Sequence, residues 1–189
     1  MTVTKLINSV FSSNSFIVTE KGEAFLIDIG DWMPISSFLN EHNLSLKAVF
    51  LTHTHYDHIY GIRKLIENFP TVPIFTSLFG KEALTKSNWN FSRYHDDPIE
   101  ISSPQIIPLS HNQEISISDC FKIKVIETPG HDKSCLSFII GDSLFTGDSY
   151  IPGIKVVASF PNSDKRQAAH YYEFLHSLSN KYHIYPGHT

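Results

Sequence analysis

At the start of the chain, apolar residues come in short runs broken by polar turns, a pattern that predicts strands rather than helices. Residues 16–18 and 24–29 are two such runs, and the intervening Glu20, Lys21, Gly22 and Glu23 predict a hairpin turn. From Asp31 the period changes. Ile35, Phe38 and Leu39 share one helical face, with Asp31 placed to cap it. Residues 48–51 form a strand that leads directly into a polar hexapeptide, after which Ile59, Ile62, Leu65 and Ile66 recur at helical spacing until Pro70 stops the helix. A second strand and helix are predicted at 74–76 and 78–86. Residues 87–98 then read as a loop whose aromatics, Trp89, Phe91 and Tyr94, either pack beneath it or line the mouth of a pocket. Further strands are predicted at 106–107, 115–117, 121–127, 136–140, 144–145 and 184–185. A helix at 164–178 carries Ala168, Tyr171, Tyr172, Leu175 and Leu178 as its buried stripe. Strands in both halves with helices separating some of them predict two packed sheets with helices outside.

The polar hexapeptide is His53-Thr54-His55-Tyr56-Asp57-His58, four potential metal ligands in the turn between a strand and a helix. In extended chain His53 and His55 point to the same side, and the turn into the helix re-aims Asp57 and His58. Two imidazoles on one side and a carboxylate–imidazole pair on the other can hold two adjacent cations. Three later sites repeat a strand end followed by a glycine turn: Thr128-Pro129-Gly130-His131, Gly147-Asp148 and Pro186-Gly187-His188. A glycine before each ligand permits a backbone φ that other residues avoid. The chain holds 11 histidines in all, and imidazole is the commonest metal-binding side chain.

These four motifs, in this order, resemble the signature of the metallo-β-lactamase superfamily on its glyoxalase II-like side. The resemblance extends to Asn14-Ser15-Phe16, to residues 26–30 and to the segment from Phe160 to Asp164. It implies a single domain over residues 1–189 with a four-layer αββα sandwich fold, two mixed sheets with helices on both outer faces. It also implies two divalent metal ions, zinc best suited to the donors with iron or manganese accepting the same set. His53, His55 and His131 would hold the first, Asp57, His58 and His188 the second, and Asp148 would bridge them. The implied activity is a hydrolase that uses a metal-bound hydroxide to cleave a small ester, thioester, lactone or similar carbonyl substrate, with Asp57 handling the nucleophile's proton. Asp28 matches a position that supports the ligands from behind, and it is equally placed to cap the helix beginning near Trp32. Tyr150 and Lys155 are candidates to meet a substrate oxygen or anionic group.

Composition narrows the partners. At 189 residues, with 41% hydrophobic and 18% charged residues, the chain has the make-up of one globular domain, on a prior of roughly 150 residues per domain. Its net charge of -4 favours a small-molecule substrate over nucleic acid. Cys120 and Cys135 make neither a CxxC motif nor a disulfide framework, and no signal-peptide or membrane-spanning run is present, so a cytoplasmic protein without membrane contact is expected. Departures from the family pattern bear on the substrate. Tyr60 replaces the first of two glycines after the cluster, while Val156-Val157 and Ser159 stand where glyoxalase II and persulfide dioxygenases have Gly-Arg and Asp. The sequence as given stops at Thr189, so the helical glutathione-binding domain of glyoxalase II is expected to be missing. Both features count against a glutathione thioester. The alternatives are a mononuclear-iron persulfide dioxygenase using His53, His131 and Asp148, a phosphodiesterase, and a non-catalytic metal-bound domain.

Overall fold

In the computed structural model, which describes residues 1–119 and 121–189, the apolar runs become two sheets. Cys120 lies outside the described residues, and Cys135 is a free, buried thiol. The first sheet comprises β1 (Thr2–Ile7), β2 (Asn14–Glu20), β3 (Glu23–Ile27), β4 (Ser45–Phe50), β5 (Ile74–Ser77) and β6 (Ile106–Leu109), in that order. Its first three strands pair antiparallel and the rest pair in parallel. Crossovers between parallel strands need intervening structure. It is supplied by α1 (Trp32–Glu41), by α2 (Tyr56–Ile59) with α3 (Ile62–Asn68), and by α4 (Leu78–Ala83) with a short 3-10 turn at Ser92–Tyr94. The second sheet runs in the order β11 (His183–Pro186), β10 (Ser143–Gly147), β9 (Leu136–Ile140), β8 (Phe121–Glu127), β7 (Glu114–Ser118), with α5 (Lys165–Leu178) between β10 and β11 in the chain. β10 and β11 pair in parallel and the other neighbours antiparallel.

Strand alternation sorts the core into layers. In β2, Phe16 and Val18 face the second sheet, packing with Phe50, Phe121, Phe138 and Phe145, whereas Ile17 faces the other way onto the helices. Residues 24–27 of β3 and 48–50 of β4 are buried on both faces, which is why they read as unbroken apolar runs. Helices α1 and α3 cover the first sheet through Ile35, Leu39, Ile62 and Leu65, and α5 covers the second through Leu175 against Leu144. The result is the αββα sandwich.

Three local expectations fail for identifiable reasons, and one strand is unexpected. The single helix through Ile59–Ile66 is two, because the His58 carbonyl accepts from Ile29 N (2.8 Å) and Gly61 N donates to Ile29 O (3.1 Å) instead of continuing the helix. Asp31 stands at the N-cap of α1 but caps nothing: its carboxylate takes the N–H and Oγ of Ser9 at 2.7 and 2.8 Å. Tyr171 lies off the buried stripe of α5, against His170 and Phe174, while Ala168, Tyr172 and Leu175 keep to it. Strand β1 has no counterpart in the hydrophobic pattern, since as an edge strand it is only partly buried.

What matters for the site is direction. β8, β10 and β11 point the same way, and the C-terminal ends of all three meet the C-terminal end of β4 along one edge of the sandwich. Backbone bonds sew that edge together: Leu136 N to Thr52 O at 2.7 Å, Asn14 N to Gly187 O at 2.7 Å, and Gly187 N to Gly147 O at 2.9 Å.

Candidate metal centre

All four motifs deliver their side chains to this edge. Beyond β4 the chain stays extended through His53 and His55, then turns into α2, which carries Asp57 and His58. His131 follows β8, Asp148 follows β10 and His188 follows β11. The glycines before them serve two purposes. Gly147 adopts φ +49°, as the turn requires, whereas Gly187 is needed for space: a Cβ there would run into Asp148 Oδ1 and meet His58 Cε1 at 3.0 Å.

The seven side chains converge in three overlapping triads, His53–His55–His131, His53–His58–Asp148 and Asp57–His58–His188. Within each, one donor atom per residue lies within 4.8 Å of the others. Asp148 stands between the groups. Its Oδ2 is 3.5 Å from both His131 Nε2 and His188 Nε2, and its Oδ1 is 3.6 Å from His58 Nε2. Asp57 Oδ2 lies 3.2 Å from His188 Nε2 and 3.4 Å from His58 Nε2.

Four of the five imidazoles are hydrogen-bonded through the outer nitrogen, and these anchors dictate what the inner nitrogen offers. His131 Nδ1 meets the Val157 carbonyl at 2.8 Å and His188 Nδ1 meets the Phe11 carbonyl at 3.1 Å. A carbonyl can only accept, so these Nδ1 atoms carry protons and the Nε2 atoms face inward. Asp28 governs two more. Its Oδ2 is 2.9 Å from His58 Nδ1 and also takes the Thr52 hydroxyl proton at 2.7 Å. The Thr52 oxygen is thereby left to accept from His53 Nδ1 at 3.2 Å. His55 is reversed: its Nε2 faces Asp132 Oδ2 at 3.4 Å and its Nδ1 faces His131 Nε2 at 3.0 Å. Two inward lone pairs at that separation repel unless a proton or a cation sits near them. His53 Nε2 and Asp148 Oδ1 are buried and have no hydrogen-bond partner among the described residues. Orphaned donors of this kind, in a nitrogen-and-carboxylate set, fit divalent cations.

Charge follows the same division. Burial, then His58, His55 and His131, hold His53 well below the ordinary imidazole range. Burial also lowers His131. On the other side burial is outweighed: Asp57, Asp28 and Asp148 raise His58, while Asp148 and Asp57 bring His188 up to about 9. Reciprocally, and against burial, His188 and His58 draw Asp148 down to about 2, and Asp57 lies far below the carboxylate range.

Of the remaining candidates, Asp28 serves the histidines and not the helix. Tyr150 is a correction: it is buried under α5 with Leu144 and Leu175, and its hydroxyl is taken by His176 Nδ1 at 2.9 Å, so it does not face the site. Lys155 is exposed on a cavity of about 820 Å³ between residues 153–159 and α5, whose lining includes none of the seven converging residues. Phe91 packs on His55 (4.8 Å between centroids), but Trp89 stacks on Phe79 and Tyr94 is exposed. Three contributors were missed: Thr52, Asp132, and Phe160, whose ring lies against both His55 and His131. Each had a signal, being next to a motif histidine or within the segment that resembled the family.

A family model described as the metallo-beta-lactamase superfamily matches residues 8–188. A hydroxyacylglutathione hydrolase of Hahella chejuensis (strain KCTC 2396) is 30% identical over 138 residues, 70% of this chain and 45% of that protein. The chain thus spans less than half the length of that relative. A probable metallo-hydrolase of Streptococcus pyogenes serotype M6 is 29% identical, covering 100% of this chain and 84% of its own. Among solved structures, the B3 metallo-beta-lactamase BLEG-1 superposes with a TM-score of 0.85 at 22% identity, covering 100% of this chain and 92% of that one. TTHA1623, solved in a di-iron-bound form, gives 0.85 at 22% identity, covering 99% and 92%. At these identities the structural likeness shows the fold.

Proposed function

This chain belongs to the metallo-beta-lactamase superfamily, and from that premise we propose that it is a metal-dependent hydrolase with two cation positions, filled by zinc, acting on a small ester, thioester or lactone. The observation that carries the reading is the set of five imidazoles whose outer nitrogens are all backed by acceptors and whose inner nitrogens converge on one another. His53, His55 and His131 would hold one ion, Asp57, His58 and His188 the other, and Asp148 would touch both. Bound there, divalent cations lower the pKa of water toward neutrality and polarise a carbonyl oxygen.

The chain's own groups do the rest. Asp57 Oδ2, held ionised beside His58 and His188, receives the proton of the attacking water. Phe91 and Phe160 wall the His55 side with apolar surface, which suits an uncharged acyl group. The relatives' name makes hydroxyacylglutathione an obvious member of any substrate panel. Val156, Val157 and Ser159 support a different acyl donor. The deciding experiment is elemental analysis of purified and reconstituted protein, followed by hydrolysis assays over esters, thioesters, lactones and phosphodiesters and an oxygen-uptake assay with a persulfide. Zinc with turnover of a carbonyl substrate is the expected result. Failure to retain any transition metal after reconstitution, or oxygen uptake without hydrolysis, overturns it.

A further inference from the structure

Asp132 has no part in the reaction just described, yet its carboxylate is almost wholly buried, at 1% exposure, directly behind a proposed ligand. Its Oδ1 accepts from the backbone N–H and the hydroxyl of Ser134 at 2.8 and 2.6 Å. The Ser134 oxygen in turn accepts from Thr54 N at 3.1 Å, the residue between His53 and His55. One oxygen is thus committed to the local turn. The other, Oδ2, is aimed at His55 Nε2 at 3.4 Å, and neither of these two buried atoms has a hydrogen-bond partner among the described residues.

We infer that Asp132 is a positioning residue that sets the tautomer of His55, keeping the proton on Nε2 so that the Nδ1 lone pair faces Nε2 of His131. The inference rests on the reading of the centre given above. The other four imidazoles present Nε2 inward and are anchored through Nδ1, the nitrogen nearer the backbone, by neighbouring carbonyls or through Asp28. His55 presents Nδ1, so its anchor has to reach the far side of the ring. The opposite tautomer would set an Nε2 lone pair against a buried carboxylate and turn an N–H toward the proposed cation. Only the Nε2–H form avoids both.

The substitution Asp132→Asn separates this role from a structural one. An asparagine keeps the shape, and its Oδ1 still accepts from Ser134. Its amide, however, would offer N–H to His55 Nε2 and drive the imidazole proton to Nδ1. Two readouts are needed: the His55 tautomer from long-range ¹H–¹⁵N spectra of the metal-free protein at mildly alkaline pH, and zinc affinity by chelator competition. The wild type is expected to show Nε2–H. The variant is expected to show Nδ1–H and to bind zinc about 10–100-fold more weakly, the usual loss for an outer partner of a metal ligand. Ser134→Ala, which disturbs the same turn through Oδ1, should leave the tautomer unchanged. A purely structural Asp132 predicts a silent Asn variant. Finding Nδ1–H in the wild type, or an Asn variant with unchanged tautomer and affinity, overturns the proposal. Should the Asn variant fail to fold, the wild-type tautomer alone decides. If the wild type binds no metal, the proposed function falls, while the metal-free spectra still decide the role of Asp132.

Discussion

Among single residues, the three side chains around the second cation position have separable duties. Asp57 is proposed both to bind and to take a proton, whereas His58 and His188 only bind. Asp57→Asn keeps the volume and one ligating oxygen but loses basicity, so kcat should fall by roughly 10²-fold or more. Metal held by His53, His55 and His131 should remain. The measurement is kcat against added zinc, and full rescue by excess metal would reduce Asp57 to ligation alone. Tyr150 provides the opposite case. Its hydroxyl meets His176 and not the site, so Tyr150→Phe should leave kcat/KM essentially unchanged while lowering unfolding free energy by about 1 kcal/mol, the worth of a typical hydrogen bond. A large KM effect would restore it as a substrate contact. The contrast shows what was legible residue by residue. The converging donors stood in motifs whose spacing carries chemistry. Tyr150 lies two residues from Asp148 in sequence, yet it points under α5 while Asp148 points into the centre. The partners behind the ligands, Thr52 and Asp132, sit beside motif histidines, but their roles depend on which nitrogen each ring turns outward, which spacing does not show.

For elements, the hydrophobic period located every strand of the two sheets except the edge strand β1, and the stripe of α5 apart from Tyr171, and it failed where tertiary contacts override it. The break between α2 and α3 is the clearest example. Periodicity runs through it unbroken, but Ile29, arriving from the end of β3, takes the His58 carbonyl, and Gly61 lies against the Gly30 carbonyl. The same break re-aims α2 so that Asp57 and His58 both reach the edge. A Cβ at position 61 would collide with that carbonyl oxygen and press on Ile29 Cγ1 at 3.0 Å. Gly61→Ala is therefore expected to cost about 1–3 kcal/mol, as overpacking generally does, despite the better helix propensity of alanine. Denaturant midpoints of the two proteins test it, and an alanine variant as stable as the parent would show that the backbone relaxes there freely.

Over the whole molecule, the centre is a seam. The first sheet contributes His53, His55, Asp57 and His58, and the second contributes His131, Asp148 and His188, so whatever positive charge lies between them ties the sheets together. In the metal-free protein that charge is protonic, which gives stability a definite pH dependence. His58 and His188 are raised above the unfolded imidazole value, His188 to about 9. Both contributions are complete below about pH 6.5; that of His188 is lost as pH rises through about 9, and that of His58 is lost above the ordinary imidazole range. His53 and His131 are depressed, so their contribution is present above about 6.5 and is lost as pH falls. The lowered Asp57 and Asp148 add to the acid-side loss. Stability of the metal-free protein should therefore peak near neutrality and decline on both sides. Zinc reverses the alkaline limb: it needs neutral imidazoles and releases their protons, so its affinity rises with pH. At a free concentration 100 times its Kd it should stabilise by about 2.7 kcal/mol. Denaturant midpoints with and without zinc, taken at acid, neutral and alkaline pH, give both curves. His188→Ala should flatten the alkaline limb of the metal-free curve. A metal-free protein that grows steadily more stable up to pH 9 would show that the protons on His58 and His188 do not hold the seam.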